Sequence, residues 1–366
     1  MISSHDAGTG IQRVVRALAL ALIDEDAQWD IRFVSARRKR RYYRIAWPDQ
    51  SRIIAPEEMR ALPGDVFVGL DYSLDAVRHH RRQLAQFRRD GGSLWFLVHD
   101  LLPLRRPDWF SRNTVLRYRA WMGILARTAD GFLCNSSQTE LELRESLSEF
   151  YGLTDDYQTQ VLPMGNAIVN ESAGDKPCRT APRFDVSAPF TLVVGTLEPR
   201  KGHSDILLAF EALWKQGRGD RLVFVGRLGW QVDRLRDLIL AHPELGSKLL
   251  WLDDVDDAEL LGIYEACAGV IIASYGEGFG LPLIEALGRG KPVLARDLPV
   301  FRPHQGRGVH FFPAEATIHE LAEATRVWID AAEAGQIVVK PPAGSWREAA
   351  SLMLRSMEPV RSRPDT

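Results

Sequence analysis

The chain has 366 residues, 45% of them hydrophobic and 26% charged, with 46 Lys+Arg against 48 Asp+Glu. This length suits two domains with a core each, and the balance excludes a disordered chain and a globally basic nucleic-acid binder. Three cysteines, Cys134, Cys178 and Cys267, cannot all pair. With no secretory leader pattern and no apolar run of spanning length, a reduced cytoplasmic setting is expected.

The chain opens DAGTGIQRVVRALALALI, where Gly8-Thr9-Gly10 precedes an apolar helix over about Ile11–Ile23. A helix start leaves N–H groups unpaired, so this turn is a candidate anion or substrate loop. A parallel α/β domain needs a strand ahead of such a turn, and only Met1–His5 precede it. Either the reading frame begins upstream or another element replaces that strand. Alternation predicts strands at Asp30–Ala36 and Asp65–Asp71, and RRQLAQFRRDGG reads as a helix closed by Gly91-Gly92. The strand Ser93–Asp100 ends in His99-Asp100, at the carboxyl edge where α/β folds place ligands. Residues 1–127 hold 22 Lys+Arg against 14 Asp+Glu, a surplus of 8 centred on RRKRRYYR (Arg37–Arg44). That run is either a solvated loop or a surface drawn to anionic lipid.

A helix through Arg117–Arg127 and a strand to Asn135 follow, then a helix that Ser136 or Ser137 caps and Glu140 reinforces. VLPMGNAI (Val161–Ile168) reads as a closing strand and glycine turn. Residues 171–187 are polar and carry Pro, Gly and Ser, which marks a linker between domains at 1–170 and 188–366. The second half starts with a strand to Gly195, the loop GTLEPRKG and a helix from about His203. Arg200 and Lys201 stand just before that helix start, placed to clamp a diphosphate or simply to be solvated. RLVFVGRLGW gives a strand and a loop at Gly226-Arg227. LLWLDDVDDAELLGIYEACAG gives a strand, an acidic loop and a helix, and Asp256-Asp257 suit a helix N-terminus better than a metal site. The short apolar run Gly269–Ser274 is a buried strand. It leads through Glu277, Gly278, Phe279, Gly280 and Leu281 into a helix starting at Pro282, with Glu285 in its first turn. SWREAASLMLRSM is a last helix capped by Ser345.

The stretch EGFGLPLIE, with Glu277 and Glu285 separated by seven residues, and its continuation GRGKPVLA resemble the E-x7-E signature of retaining glycosyltransferase family 4. GTLEPRKG and VHDLLPLRRPDWF resemble the family's phosphate-binding and His-Asp loops. The likeness covers nearly the whole chain, strongest over residues 191–300 and weaker before 90. It departs where Pro303 and His304 stand in place of a common acidic residue. The resemblance implies a GT-B fold, two doubly wound Rossmann-like α/β domains facing each other across a cleft. It implies transfer of a hexosyl residue, with retention, from a nucleoside-diphosphate sugar to a glycan or lipid-linked glycan in bacterial surface polysaccharide synthesis. GDP-mannose is the expected donor, and neither a metal nor another cofactor is expected. By the same resemblance Arg200 and Lys201 hold the donor diphosphate, Glu277 and His99 hold the sugar, and Glu285 the ribose. The loops at Gly195, Gly226-Arg227, Val255 and Gly278–Leu281 bind the nucleotide, and Gly8 and Gly10 lie on the acceptor side. Two other readings remain, a silent sugar-nucleotide-binding partner of a synthase and a nucleotide-sugar epimerase. A cytoplasmic protein, with peripheral contact at the inner face of the membrane, follows from the lipid reading of the basic run.

Overall fold

The computed structural model of the chain describes residues 10–24, 29–48, 57–166 and 182–358. They form two compact units, one holding residues 11–165 and the segment from Gly344, the other residues 166–343 with Gly10, which at that residue corrects the expected domain 1–170. Met1–His5, Gly8, Cys178 and most of the expected linker lie outside the described residues.

From Ile11 on, α1 (Gly10–Asp24) opens the first unit, and its Val14, Val15, Leu18 and Leu22 are buried at helical spacing. β1 (Val34–Arg37) and β2 (Arg40–Arg44) pair antiparallel around a turn at Arg38-Lys39. All of the basic run except Arg38 and Lys39 is therefore strand, a correction to the loop reading. Its charges hid one inward side chain: Tyr42 is 1% exposed and stacks edge-on against Phe67, while Arg40, Arg41 and Arg44 are exposed. Gln83 locks β2 in place by accepting from the Tyr42 amide and donating to its carbonyl. The expected strand at Asp30–Ala36 shifts to Val34–Arg37 because it pairs with this hidden partner, leaving Phe33 to pack on Trp47.

β3 (Val66–Gly69), α2 (Leu74–His79), α3 (Arg81–Arg89) and β4 (Ser93–Val98) follow. Then come α4 (Leu102–Arg105), α5 (Arg112–Thr128), β5 (Gly131–Cys134), α6 (Ser137–Tyr151) and β6 (Gln158–Val161). The four strands form one parallel sheet in the order β3-β4-β5-β6. Ser136, not Ser137, caps α6 by accepting from the Thr139 amide, and Glu140 turns to Thr159 and Arg144 instead of closing a capping box. The closing strand ends at Val161 instead of starting there; as an edge strand it carries Gln158, Thr159 and Gln160, which masked it.

The second unit runs β7 (Phe190–Val194), α7 (His203–Lys215), β8 (Arg221–Val225), α8 (Asp233–Leu240) and β9 (Leu249–Leu252). It continues with α9 (Asp257–Ala266), β10 (Gly269–Ile272), α10 (Leu281–Gly288), β11 (Val293–Arg296), β12 (Val309–Phe312) and α11 (Ile318–Glu333). Its parallel sheet has the order β12-β11-β10-β7-β8-β9. Alternate strand residues feed two cores. Leu222, Phe224, Ile271 and Leu294 pack with α7, α8 and α11, whereas Val223, Val225, Val270, Ile272 and Val293 pack with α9 and α10. The connecting helices change face where the strand order reverses, as crossovers of one hand require. The reversal falls between β7 and β10.

The last helix, α12 (Trp346–Ser356), is capped by Ser345 as expected. It groups with the first unit, which corrects the expected domain 188–366. Trp346 lies so close to Gly165 that a Cβ there would meet the indole at 2.7 Å, and Ser356 donates to the Gln160 side chain. Packing, not chain order, decides its membership.

Candidate functional site

In a doubly wound sheet the crevice opens at the carboxyl edge, where the strand order reverses. Here that point lies between the loop after β7, residues 195–202, and the loop after β10, residues 273–280. Both loops are glycine-dependent for stated reasons. Gly202 has φ +69°, and a Cβ on it would lie 2.4 Å from the Ala273 carbonyl oxygen. Gly280 has φ +87°, and a Cβ there would strike the buried Phe301 ring at 2.3 Å. These are also the N-caps of α7 and α10, and neither helix has a side-chain cap; the first N–H groups of α7 and, ahead of Pro282, the Leu281 N–H of α10 are open to an anion.

The loops meet through charge. Lys201 Nζ donates to Glu277 Oε1 at 2.5 Å, Ser274 Oγ donates to the same oxygen at 2.6 Å, and Arg200 Nη1 lies 3.5 Å from Oε2. Arg200 also donates to Glu198 at 2.9 Å and to the Gly276 carbonyl at 3.2 Å. Burial alone would raise the Glu277 carboxyl, but Lys201 and Arg200 outweigh it, with the Lys201 and Ser274 hydrogen bonds, and hold it down to about 2. Glu277 is therefore a carboxylate, able to accept hydroxyl protons and unsuited to donate one. Next to this pair, burial and the Lys201 charge push His203 down to about 3, so it stays neutral.

Glu285 sits one turn inside α10 rather than in its first turn, because that helix starts at Leu281. It is 4% exposed and accepts from Tyr264 Oη at 2.9 Å. On the other side of the reversal, Gly226 takes φ +157° and a Cβ would lie 2.0 Å from the Gly195 carbonyl oxygen, so the loops after β7 and β8 touch backbone to backbone. Trp251 donates to the Gly226 carbonyl at 2.9 Å. Arg227 pairs with Asp254 at 3.7 Å with both side chains exposed, and Val255 is half-buried against the core. Asp256 caps α9 by accepting from the Glu259 amide at 2.7 Å, the helix-end role expected for it. Phe279 and Leu281 are half-buried, while Gly278 is buried.

The first unit carries His99. Its Nε2 donates to the Leu70 carbonyl at 2.9 Å, and burial holds the imidazole below its ordinary value. That bond fixes the neutral tautomer with the lone pair on Nδ1, an acceptor. Asn135 donates to the His99 carbonyl at 2.7 Å, and burial pushes the neighbouring Asp71 carboxyl up. Gly10 is the first residue of α1.

Thus Arg200, Lys201 and Glu277 are brought together, with Gly195, Gly226, Gly280 and Glu285 on loops or helices at the same edge of one sheet. Sequence reasoning missed Ser274, which lay inside the quoted motif without a role, and Tyr264, for which no local signal exists.

Residues 178–336 match the profile of the family described as Glycosyl transferases group 1. The Serotype-specific mannosyltransferase WbdA of Escherichia coli is 30% identical over 372 residues, covering 98% of this chain and 44% of that protein. The chain thus spans under half the length of WbdA. Among solved structures, sucrose-phosphate synthase from Thermosynechococcus elongatus superposes with a TM-score of 0.53 at 18% identity, covering 80% of this chain and 69% of that one. The pneumococcal O-GlcNAc transferase GtfA, in complex with UDP and GlcNAc, gives 0.52 at 17%, covering 81% and 55%. At these identities the likeness shows the fold alone, which is GT-B.

Proposed function

We propose that this GT-B chain, which resembles O-antigen mannosyltransferases, is a retaining hexosyltransferase acting from a nucleoside-diphosphate sugar on a glycan or lipid-linked glycan. GDP-mannose is the first donor to test, in view of the likeness to WbdA. The observation that carries the reading is the Lys201–Glu277 pair at the reversal of the second sheet, flanked by two uncapped helix starts.

In this reading Arg200, Lys201 and the N–H groups at the starts of α7 and α10 offset the charge growing on the departing diphosphate. Lys201 has three donors, so it can hold a phosphate oxygen while keeping Glu277. The Glu277 carboxylate accepts from donor-sugar hydroxyls; His99, in the first unit, keeps its Nδ1 lone pair as an acceptor. Glu285 takes ribose hydroxyls, the loops at Gly195, Gly226-Arg227 and Val255 face the base, and Gly278–Leu281 approaches the phosphates. The acceptor oxygen attacks the anomeric carbon on the face that the diphosphate leaves. The bond from that carbon to the phosphate oxygen breaks, and the acceptor's proton passes to the departing phosphate. No protein carboxylate need form a covalent intermediate, and Glu277, engaged by Lys201 and Ser274, is not assigned as one.

The test is mass spectrometry, with NMR spectroscopy to read the anomeric configuration and any isomerised donor, of GDP-, UDP- and dTDP-sugars incubated with and without a lipid-linked mannosyl acceptor, with EDTA present. Acceptor-dependent transfer that survives EDTA, with the anomeric configuration kept, supports the reading. Donor isomerised without acceptor, or no donor consumed, overturns it.

A further inference from the structure

Arg296, the last residue of β11, is 2% exposed, an uncommon burial for a permanent cation. Each nitrogen of its guanidinium donates within the second unit. Nε donates to the Ala273 carbonyl at 3.0 Å, Nη1 to the Ala314 carbonyl at 2.5 Å, and Nη2 to Asp205 Oδ2 at 2.9 Å. The rings of Tyr275 and Phe312 lie 4.0 and 5.0 Å from its Cζ.

Each partner belongs to a piece of the site. Asp205 is in the first turn of α7, three residues after Gly202 and four after Lys201. Ala273 is the residue whose carbonyl oxygen packs against Gly202, and Tyr275 stands two residues before Glu277. Tyr275 closes the circuit. Its hydroxyl donates to the same Asp205 oxygen at 2.6 Å, and its amide donates to the Arg200 carbonyl at 2.8 Å. A buried cation with one carboxylate partner resists displacement, because separating them leaves a charge uncompensated in low dielectric.

We propose that Arg296, acting through Asp205 and Tyr275, is a positioning residue that fixes the loop of Lys201 against the loop of Glu277. It rests on the reading of Lys201 and Glu277 as the donor-binding pair. Arg296 touches neither donor nor acceptor; it sets the distance at which the two site loops present their charges.

The test uses the full chain and the variants Tyr275→Phe, which keeps the ring over Arg296 and removes only the hydroxyl, Arg296→Met and Glu277→Gln. With the donor found in the panel above, Tyr275→Phe and Arg296→Met are expected to lower kcat about tenfold while the donor KM moves less than about threefold, since small misplacement of reacting groups costs rate first. Where Arg296→Met does not fold, Tyr275→Phe carries the test. An activity-independent arm is a double-mutant cycle in denaturant between Tyr275→Phe and Glu277→Gln, in which the unfolding constants are expected to be non-additive by at least about threefold. Additivity overturns the proposal whatever the activity, and so does an unchanged kcat in Tyr275→Phe of an active chain. Equal transfer by wild type and Glu277→Gln sinks the donor-site reading instead, and leaves the cycle to decide the brace.

Discussion

Glu277 is ionised in the folded chain far into acid, and this has a measurable sign. Its carboxyl is held at about 2 against an ordinary 4.5, so the stabilisation from its cation partners is complete above 4.5 and is lost as the pH falls from 4.5 towards 2. Denaturant midpoints taken across that window should fall more steeply for the wild type than for Glu277→Gln; parallel slopes would show that the pair contributes nothing to the linkage. At neutral pH the same substitution is expected to lower hexosyl transfer by about a hundredfold or more, the scale of losing one preorganised electrostatic group. A steady-state transfer assay checks it. Arg200→Ala combined with Lys201→Ala is expected to do at least as much, because it removes both cations that face the proposed diphosphate.

At the scale of elements, the junction between the loop of Lys201 and α7 depends on one missing methyl group. Gly202→Ala would place a Cβ against the end of β10 at a backbone angle that disfavours side chains, a strain of about 1–3 kcal/mol. Urea unfolding should show that loss, and turnover should drop with it because Lys201 is the neighbouring residue. Thr317→Ala is the contrast. It removes the capping box with Glu320 at the start of α11, costs about 0.5–2 kcal/mol, and should leave turnover unchanged. That box, Thr-Ile-His-Glu, is a sequence-level signal the reading of the chain passed over, as it passed over α11 itself. Much of the second unit was legible because its strands are buried on both faces and its loops carry glycine for steric reasons. The first unit was less so: β2 hides under arginines and β6 under glutamines, since a hairpin and an edge strand present polar residues to water. The Asp205–Arg296–Tyr275 brace could not be read at all. Arg296 and Tyr275 lie 91 and 70 residues from Asp205, and no local pattern links an arginine that ends one strand to a tyrosine after another.

For the whole molecule, charge and connectivity matter more than any single contact. Arg37, Arg38, Lys39, Arg40, Arg41 and Arg44 are all exposed on the hairpin, with Arg40 stacked over Tyr43 at 3.7 Å and Arg41 paired with Glu58 at 3.0 Å. We propose that this hairpin draws the chain to anionic lipid. Each basic group contributes about 1 kcal/mol near such a surface, so pelleting with phosphatidylserine vesicles should fall steeply with salt and with Arg37→Gln, Arg38→Gln and Lys39→Gln together. Equal pelleting with neutral vesicles would remove the idea. Among the described residues no helix is long and apolar enough to cross a membrane. Truncation before Gly344 should loosen the first unit rather than the second, because α12 packs there. Hydrogen exchange would show it as faster exchange in β5 and β6 with β7–β11 unchanged.

The place of β10 in the second sheet gives the site a history as well as a geometry. β10 lies between β7 and β11, inside the sheet and not at its rim, and the Lys201–Glu277 contact joins positions 76 residues apart. During synthesis β7, β8 and β9 emerge first and can align side by side, but the surface of β7 that will receive β10 stays open until about 80 further residues have followed it. The charge pair therefore cannot exist in a partly made second unit. A nascent chain arrested before residue 277 should show protected amides in β7 and β8 and no affinity for a nucleoside diphosphate, so ligand binding would time the insertion of the central strand.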